Sequence, residues 1–167
     1  MSHESAPSIR EWLGAAERAA EELASTILGI EDFQITGHAL EPPESLVGGY
    51  INLNNDLIRL KLGVLTDPEG CLEVTRLFLG METISLEEQA DAWGEIVNIL
   101  AGTMKRNLDG HSAPIQMGLP SVAKDLPTLP APDEIAATNL TLGKAKVTLM
   151  LVKHQNHGGS NGNETPR

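Results

Sequence analysis

The chain has 167 residues, a formal net charge of −11 and 41% hydrophobic residues, which fits a globular domain with a sizeable core. The acidic balance argues against nucleic acid, which needs clustered Lys and Arg, and against an anionic membrane surface. The single cysteine, Cys71, excludes an intrachain disulfide framework and a multi-cysteine metal site. It reads as a packed small hydrophobe. No apolar run approaches the roughly 20 residues of a spanning helix. The stretch Met1 to Pro7 lacks the basic start and apolar core of a signal peptide, so a reducing cytoplasm is the expected setting.

Residues 1–8 read as a flexible N-terminus. Ser8 and Glu11 then form a capping-box pattern, and Ile9, Trp12, Ala16, Ala20, Leu23 and Ile27 recur at helical spacing. A helix is predicted over about 9–28, stopped near Gly29. Phe33 to Leu40 alternates loosely as a strand, broken by Pro42 and Pro43. Two further strands, Leu46–Asn54 and Leu57–Leu65, are joined by the turn residues Asn54-Asn55-Asp56. Asp67 and Pro68 open a short helix that stops at Gly80.

Ser85-Leu-Glu-Glu88 is a second capping box, and its helix runs to about Leu108, closed by Asp109-Gly110. Strands follow near Pro114–Ala123, Glu134–Leu142 and Ala145–Val152, the last after the turn Gly143-Lys144. Asp125–Asp133 is proline-rich and reads as a loop. Residues 154–167 are Gly/Asn/Ser-rich and read as a disordered tail, leaving 9–153 as the folded domain. Hairpin-length turns favour antiparallel pairing. The expected class is therefore α+β: a largely antiparallel six-stranded sheet with two long helices and one short helix packed on it.

The helix from Ser85 carries the most informative pattern. Asp91, Glu95, Asn98 and Gly102 fall within an arc of about 60° at roughly 100° per residue. Ala92, Trp93, Ile96, Val97, Ile99, Leu100 and Met104 occupy the rest of the surface, so most of this helix is expected to be buried. A carboxylate and a carboxamide one turn apart are thus held on a rigid element. A carboxamide is neutral, with two donors and an acceptor, so it is no strong base. It is suited to gripping and aiming a water molecule. Phosphoryl transfer asks mostly for positioning and charge stabilisation. Glu95 suits either proton abstraction or the anchoring of a partner's cation; an exposed carboxylate is too acidic for the first, which favours the second. Gly102 would let a partner surface approach closely. A merely solvated face is the plain alternative for a Glu-x-x-Asn pair.

The run Asp91-Ala-Trp-Gly-Glu95-Ile-Val-Asn98-Ile-Leu-Ala-Gly102 resembles the signature helix of the CheC/CheX/FliY family of chemotaxis phosphatases. The context is similar too: Ile51-Asn-Leu and Leu60-Lys-Leu-Gly-Val before it, the short helix ending Leu77-Phe-Leu-Gly80, and Ile115-Gln-Met-Gly-Leu-Pro120-Ser-Val after it. A single Glu/Asn motif is similar to the CheX branch. The resemblance implies a CheX-like fold and an aspartyl-phosphate protein phosphatase acting on a phosphorylated CheY-type response regulator. It implies that Asn98 orients the attacking water, that Glu95 pairs with the regulator's lysine, and that Asp91 and Gly102 contact the regulator. Mg²⁺ would sit on the regulator, with no cofactor or metal bound by this chain. A homodimer joined edge to edge through its sheets is the implied assembly. The alternative is a non-catalytic adaptor of the same fold that binds the regulator, or a dimeric interaction domain.

Other motifs point to little. His154 and His157 lack a rigid frame and a third partner for a metal. His38 and His111 read as surface or hydrogen-bonded residues, and Trp12 and Trp93 as core or dimer-contact aromatics. No Walker loop, Gly-x-Gly-x-x-Gly or Gly-x-Ser-x-Gly element occurs.

Overall fold

The computed structural model describes residues 7–108, 114–129 and 134–154. The expectations for the helix stop at Asp109-Gly110, for His111 and His157, for the end of the proline-rich loop, and for most of both termini lie outside these residues. Three helices, α1 (Ile9–Thr26), α2 (Pro68–Leu79) and α3 (Leu86–Leu108), accompany seven strands. These are β1 (Gln34–Gly37), β2 (Val47–Asn54), β3 (Arg59–Thr66), β4 (Gln116–Met117), β5 (Ser121–Ala123), β6 (Ile135–Leu142) and β7 (Ala145–His154).

The local signals act as their chemistry requires. At α1 the Ser8 hydroxyl accepts from the Glu11 amide (3.2 Å), and the Ser8 amide donates to the Glu11 carboxylate (2.8 Å). At α2, Asp67 accepts from the Gly70 amide, Pro68 opens the helix, and Gly80 closes it at φ +65°. At α3 the Ser85 hydroxyl accepts from the Glu88 amide at 3.1 Å. Between β2 and β3, Asn55 Oδ1 accepts from the amides of Leu57 and Ile58, a side-chain-built turn that sets the hairpin register.

All strand pairs are antiparallel, in the spatial order β1-β6-β7-β3-β2, with β4 and β5 both on the outer side of β2. The sheet has seven strands where six are expected, because the Pro114–Ala123 segment is split. Leu53 faces Met117, and the Gly118 amide donates to the Asn52 carbonyl at 2.9 Å. Pairing resumes with Tyr50 opposite Ser121. Leu119 and Pro120 therefore both stand opposite Ile51, which is a β-bulge. Pro120 has no N–H to contribute to the ladder, so the edge breaks there.

Helices α1 and α3 lie side by side on one face of the sheet, α1 over β6 and β7, α3 over β2 and the β5 edge. Trp12, Leu23, Trp93, Ile96, Leu100 and Met104 meet Ile51, Leu60, Leu62 and Leu149 in the main core. Cys71 is buried there as expected. On the opposite face Tyr50, Leu65, Met150 and Val152 form a smaller cluster, flanked by Leu40, Leu46, Leu126 and Ile135. The Tyr50 hydroxyl donates to the Asp125 carbonyl there, at 2.9 Å. Among the described residues, no helix is long and apolar enough to cross a membrane.

Candidate functional site

Helix α3 is held on the sheet by its apolar side. Trp93 is fully buried, and its indole Nε1 donates to the Val64 carbonyl on β3 at 3.2 Å. A Cβ at Gly49 of β2 would collide with Val97 and come within 2.8 Å of Trp93, so glycine there admits the helix to the sheet. Ala92, Trp93, Ile96, Val97, Leu100 and Met104 are all buried, as their spacing requires. Ile99 lies at the margin of the core, half-buried.

The opposite side carries the expected stripe. Asp91, Glu95 and Asn98 are exposed, and Gly102 is half-buried. Among the described residues no hydrogen bond or ion pair engages the side chains of Asp91, Glu95 or Asn98. They stand one turn apart on a helix whose other side is locked in the core. Their orientation is therefore set by the backbone rather than by polar neighbours.

Gly102 is unusual in a second way. A Cβ added there would meet nothing within 4 Å, and its backbone is not among the left-handed glycines. Among the described residues, neither packing nor backbone geometry calls for glycine. A glycine inside a helix costs about 1 kcal/mol relative to alanine. Charge is also graded along this side. Glu87, Glu88 and Asp91 precede the pair, and Lys105 and Arg106 follow Gly102, with Arg106 3.3 Å from Glu22 of α1.

Among the described residues the stripe borders none of the five best-formed cavities. A cavity of about 760 Å³, lined by Asn52, Arg59, Lys61, Gln116 and His154 among others, opens on the face of the sheet away from the helices, and none of the four stripe residues lines it. Any chemistry at Glu95 and Asn98 would need a pocket that another molecule brings. His38 stands on the surface, 3.3 Å from Glu17, remote in the sequence from this helix. Trp12 and Trp93 are core residues.

Sequence reasoning missed one neighbour of the stripe. Pro120, from the β4–β5 bulge, lies 3.8 Å from where a Gly94 Cβ would stand, one residue before Glu95. The Gly118-Leu119-Pro120 run was the available signal, since proline inside a strand marks an edge or a bulge.

The family model for the chemotaxis phosphatase CheX matches residues 47–133, which include the hairpin β2–β3, α2, the α3 stripe and the bulged edge. The chain belongs to the CheX family. CheX from Vibrio vulnificus has the same fold, with a TM-score of 0.71 at 20% identity, covering 86% of this chain and 99% of that one. The CheX of a CheX–CheY–BeF3–Mg²⁺ complex from Borrelia burgdorferi has a TM-score of 0.71 at 15% identity, covering 89% and 99%. The middle domain of FliM from H. pylori is also similar, with a TM-score of 0.60 at 13% identity over 91% and 92% of the two chains. No curated protein matches the chain's sequence. The three-helix, antiparallel-sheet architecture is that of CheX proteins.

Proposed function

We propose that this chain hydrolyses the phosphoaspartate of a phosphorylated CheY-type response regulator. The observation that carries the reading is the Glu95/Asn98 pair: exposed, unengaged among the described residues, and borne by a helix that is otherwise core. CheY as the partner class is supported by family membership and by the CheX–CheY complex of the Borrelia burgdorferi protein.

In this reading α3 docks across the regulator's acyl-phosphate pocket. Asn98 reaches in and holds a water in line with the phosphorus, its carboxamide oxygen accepting a hydrogen bond from one water O–H while its NH₂ remains free to donate to a phosphoryl oxygen. The water oxygen bonds to phosphorus as the bond from phosphorus to the aspartate oxygen breaks. The regulator's aspartate leaves as carboxylate, and inorganic phosphate, as dihydrogen phosphate, carries away the water oxygen and both its protons. Glu95 meets the regulator's lysine as a charge-assisted pair and fixes the register. Mg²⁺, bound by the regulator, would offset charge on the phosphoryl group. Asp91 borders the same surface, and Gly102 removes the side chain that would hold the partner's backbone away. A homodimer joined through a sheet edge and a cytoplasmic setting belong to the same proposal.

The test uses a CheY-type receiver domain, loaded with Mg²⁺ and phosphorylated with acetyl phosphate. Wild type should speed phosphate loss. Asn98→Ala should lower kcat at least a hundredfold while still binding, since lost orientation acts on the barrier. Glu95→Ala should act chiefly through KM. If wild type binds the regulator without speeding phosphate loss, the chain is an adaptor; if it neither binds nor hydrolyses, the stripe is a solvated face.

A further inference from the structure

The edge beside the stripe carries an apolar side chain that the fold itself does not use. Leu119 is 92% exposed, the most exposed large hydrophobic residue described, and Val122 two strand positions beyond Pro120 is 40% exposed. Scattered surface leucines need no explanation. This one occupies a constructed position.

The register fixes which side of the sheet it serves. Leu119 and Pro120 together stand opposite Ile51, whose side chain is in the helix-side core. In a bulge the two residues opposite one partner point broadly the same way as that partner. Pro120 takes the inner place against Gly94 of α3, and Leu119 is left outside it on the helix side of the edge. Val122 is paired with Gly49, the residue that lies under Trp93 and Val97, so it faces the same side.

Leu119 is the chain neighbour of Pro120, whose ring stands 3.8 Å from where a Cβ of Gly94 would be, and Gly94 is the residue before Glu95. On the helix surface Gly94 and Asn98 are one turn apart and about 40° apart in azimuth. The bulge therefore sets Leu119 beside the stripe.

We propose that Leu119, supported by Val122, is an apolar anchor for the regulator that docks on α3, holding the receiver domain while Asn98 acts. This rests on the phosphatase reading above. The occupant is a receiver domain rather than a second copy because the knob faces the helix side and is continuous with the polar pair. A bulge that breaks the hydrogen-bonding edge is a poor feature for strand-to-strand joining. An apolar anchor beside a polar, water-handling pair also divides the labour. Burial of the leucine supplies affinity without strengthening in the transition state, so its loss should appear in KM and not in kcat.

The experiment compares wild type, Leu119→Ser and Leu119→Met on the Mg²⁺-loaded, acetyl-phosphate-treated receiver domain, with light scattering for oligomeric state and a thermal melt for folding. Expected are a KM or Kd raised at least roughly tenfold in Leu119→Ser, kcat held within about twofold, recovery in Leu119→Met, and unchanged mass and melting temperature. Wild-type turnover with an unchanged KM in Leu119→Ser overturns the anchor and leaves the phosphatase reading intact. A change of oligomeric state in Leu119→Ser also overturns it, and assigns the residue to a contact between copies. No hydrolysis and no binding by wild type sinks the phosphatase reading itself, and the anchor with it.

Discussion

Replacing Gly102 by alanine should move stability and activity in opposite directions. The added methyl meets nothing within 4 Å, so it neither clashes with nor packs against the described residues. What remains is the helix-interior preference for alanine over glycine, about 0.8–1 kcal/mol. With an unfolding entropy of about 2.1 cal/mol/K per residue, a domain of roughly 140 residues should gain about 3 °C in Tm. In the proposed docking mode the same methyl would lie between α3 and the regulator. Overfilling a close contact costs about 1–3 kcal/mol, which at the lower end is already a fivefold rise in KM. Circular dichroism melts measure the first effect, and initial rates of phosphate release against regulator concentration measure the second. A stabilised variant with unchanged KM would show that the glycine does not face the partner. A destabilised one would refute the placement of Gly102 on the open side of α3.

Gly49→Ala should be destabilising by about 1–3 kcal/mol, because its Cβ has no room beneath Val97 and Trp93. A urea midpoint within error of wild type would contradict the close seating of α3 on β2. Stability should fall at alkaline pH. Burial pushes the Cys71 thiol up, partly offset by its hydrogen bond with Thr75, and burial followed by the nearby Asp125 charge pushes the Tyr50 phenol up. Both groups keep their protons in the folded state after the unfolded chain has lost them, so the unfolded chain binds fewer protons and stability declines as pH rises. The decline should begin near the ordinary cysteine value of about 8.5 and steepen towards the tyrosine value of about 10. Urea titrations at pH 7.5, 9 and 10.5 measure it, and flat stability across that range would contradict the burial of both groups. Ser85→Ala should cost about 1 kcal/mol by freeing the Glu88 amide at the start of α3, read by the same titration.

Local chemistry made much of this protein legible without coordinates. Ser8, Asp67 and Ser85 act as caps because their side-chain oxygens reach amides three residues on, and that distance is fixed along the chain. The α3 stripe was legible for the same kind of reason. A helix repeats every 3.6 residues wherever it sits, so apolar residues at 93, 96, 97, 100 and 104 force Asp91, Glu95 and Asn98 to the other side. Even the β2–β3 hairpin follows from Asn55 bonding its own neighbours.

Other features exist only because distant segments meet. Strand order, with β7 inserted between β3 and β6, depends on which edges pair most favourably, and local sequence carries no term for that. Phe33–Leu40 shortens to Gln34–Gly37, whose pairing with β6 slips between Ile35 and Gly37. The seventh strand and the Leu119 position arise where one extra residue meets β2 across the edge, a mismatch between two segments some 70 positions apart. Gly49 and Gly102 look alike as letters. Tertiary contacts alone separate them: one is crowded by Val97 and Trp93, the other faces open space. Periodicity along one chain decides which side chains leave the core together, and three-dimensional packing decides what stands beside them.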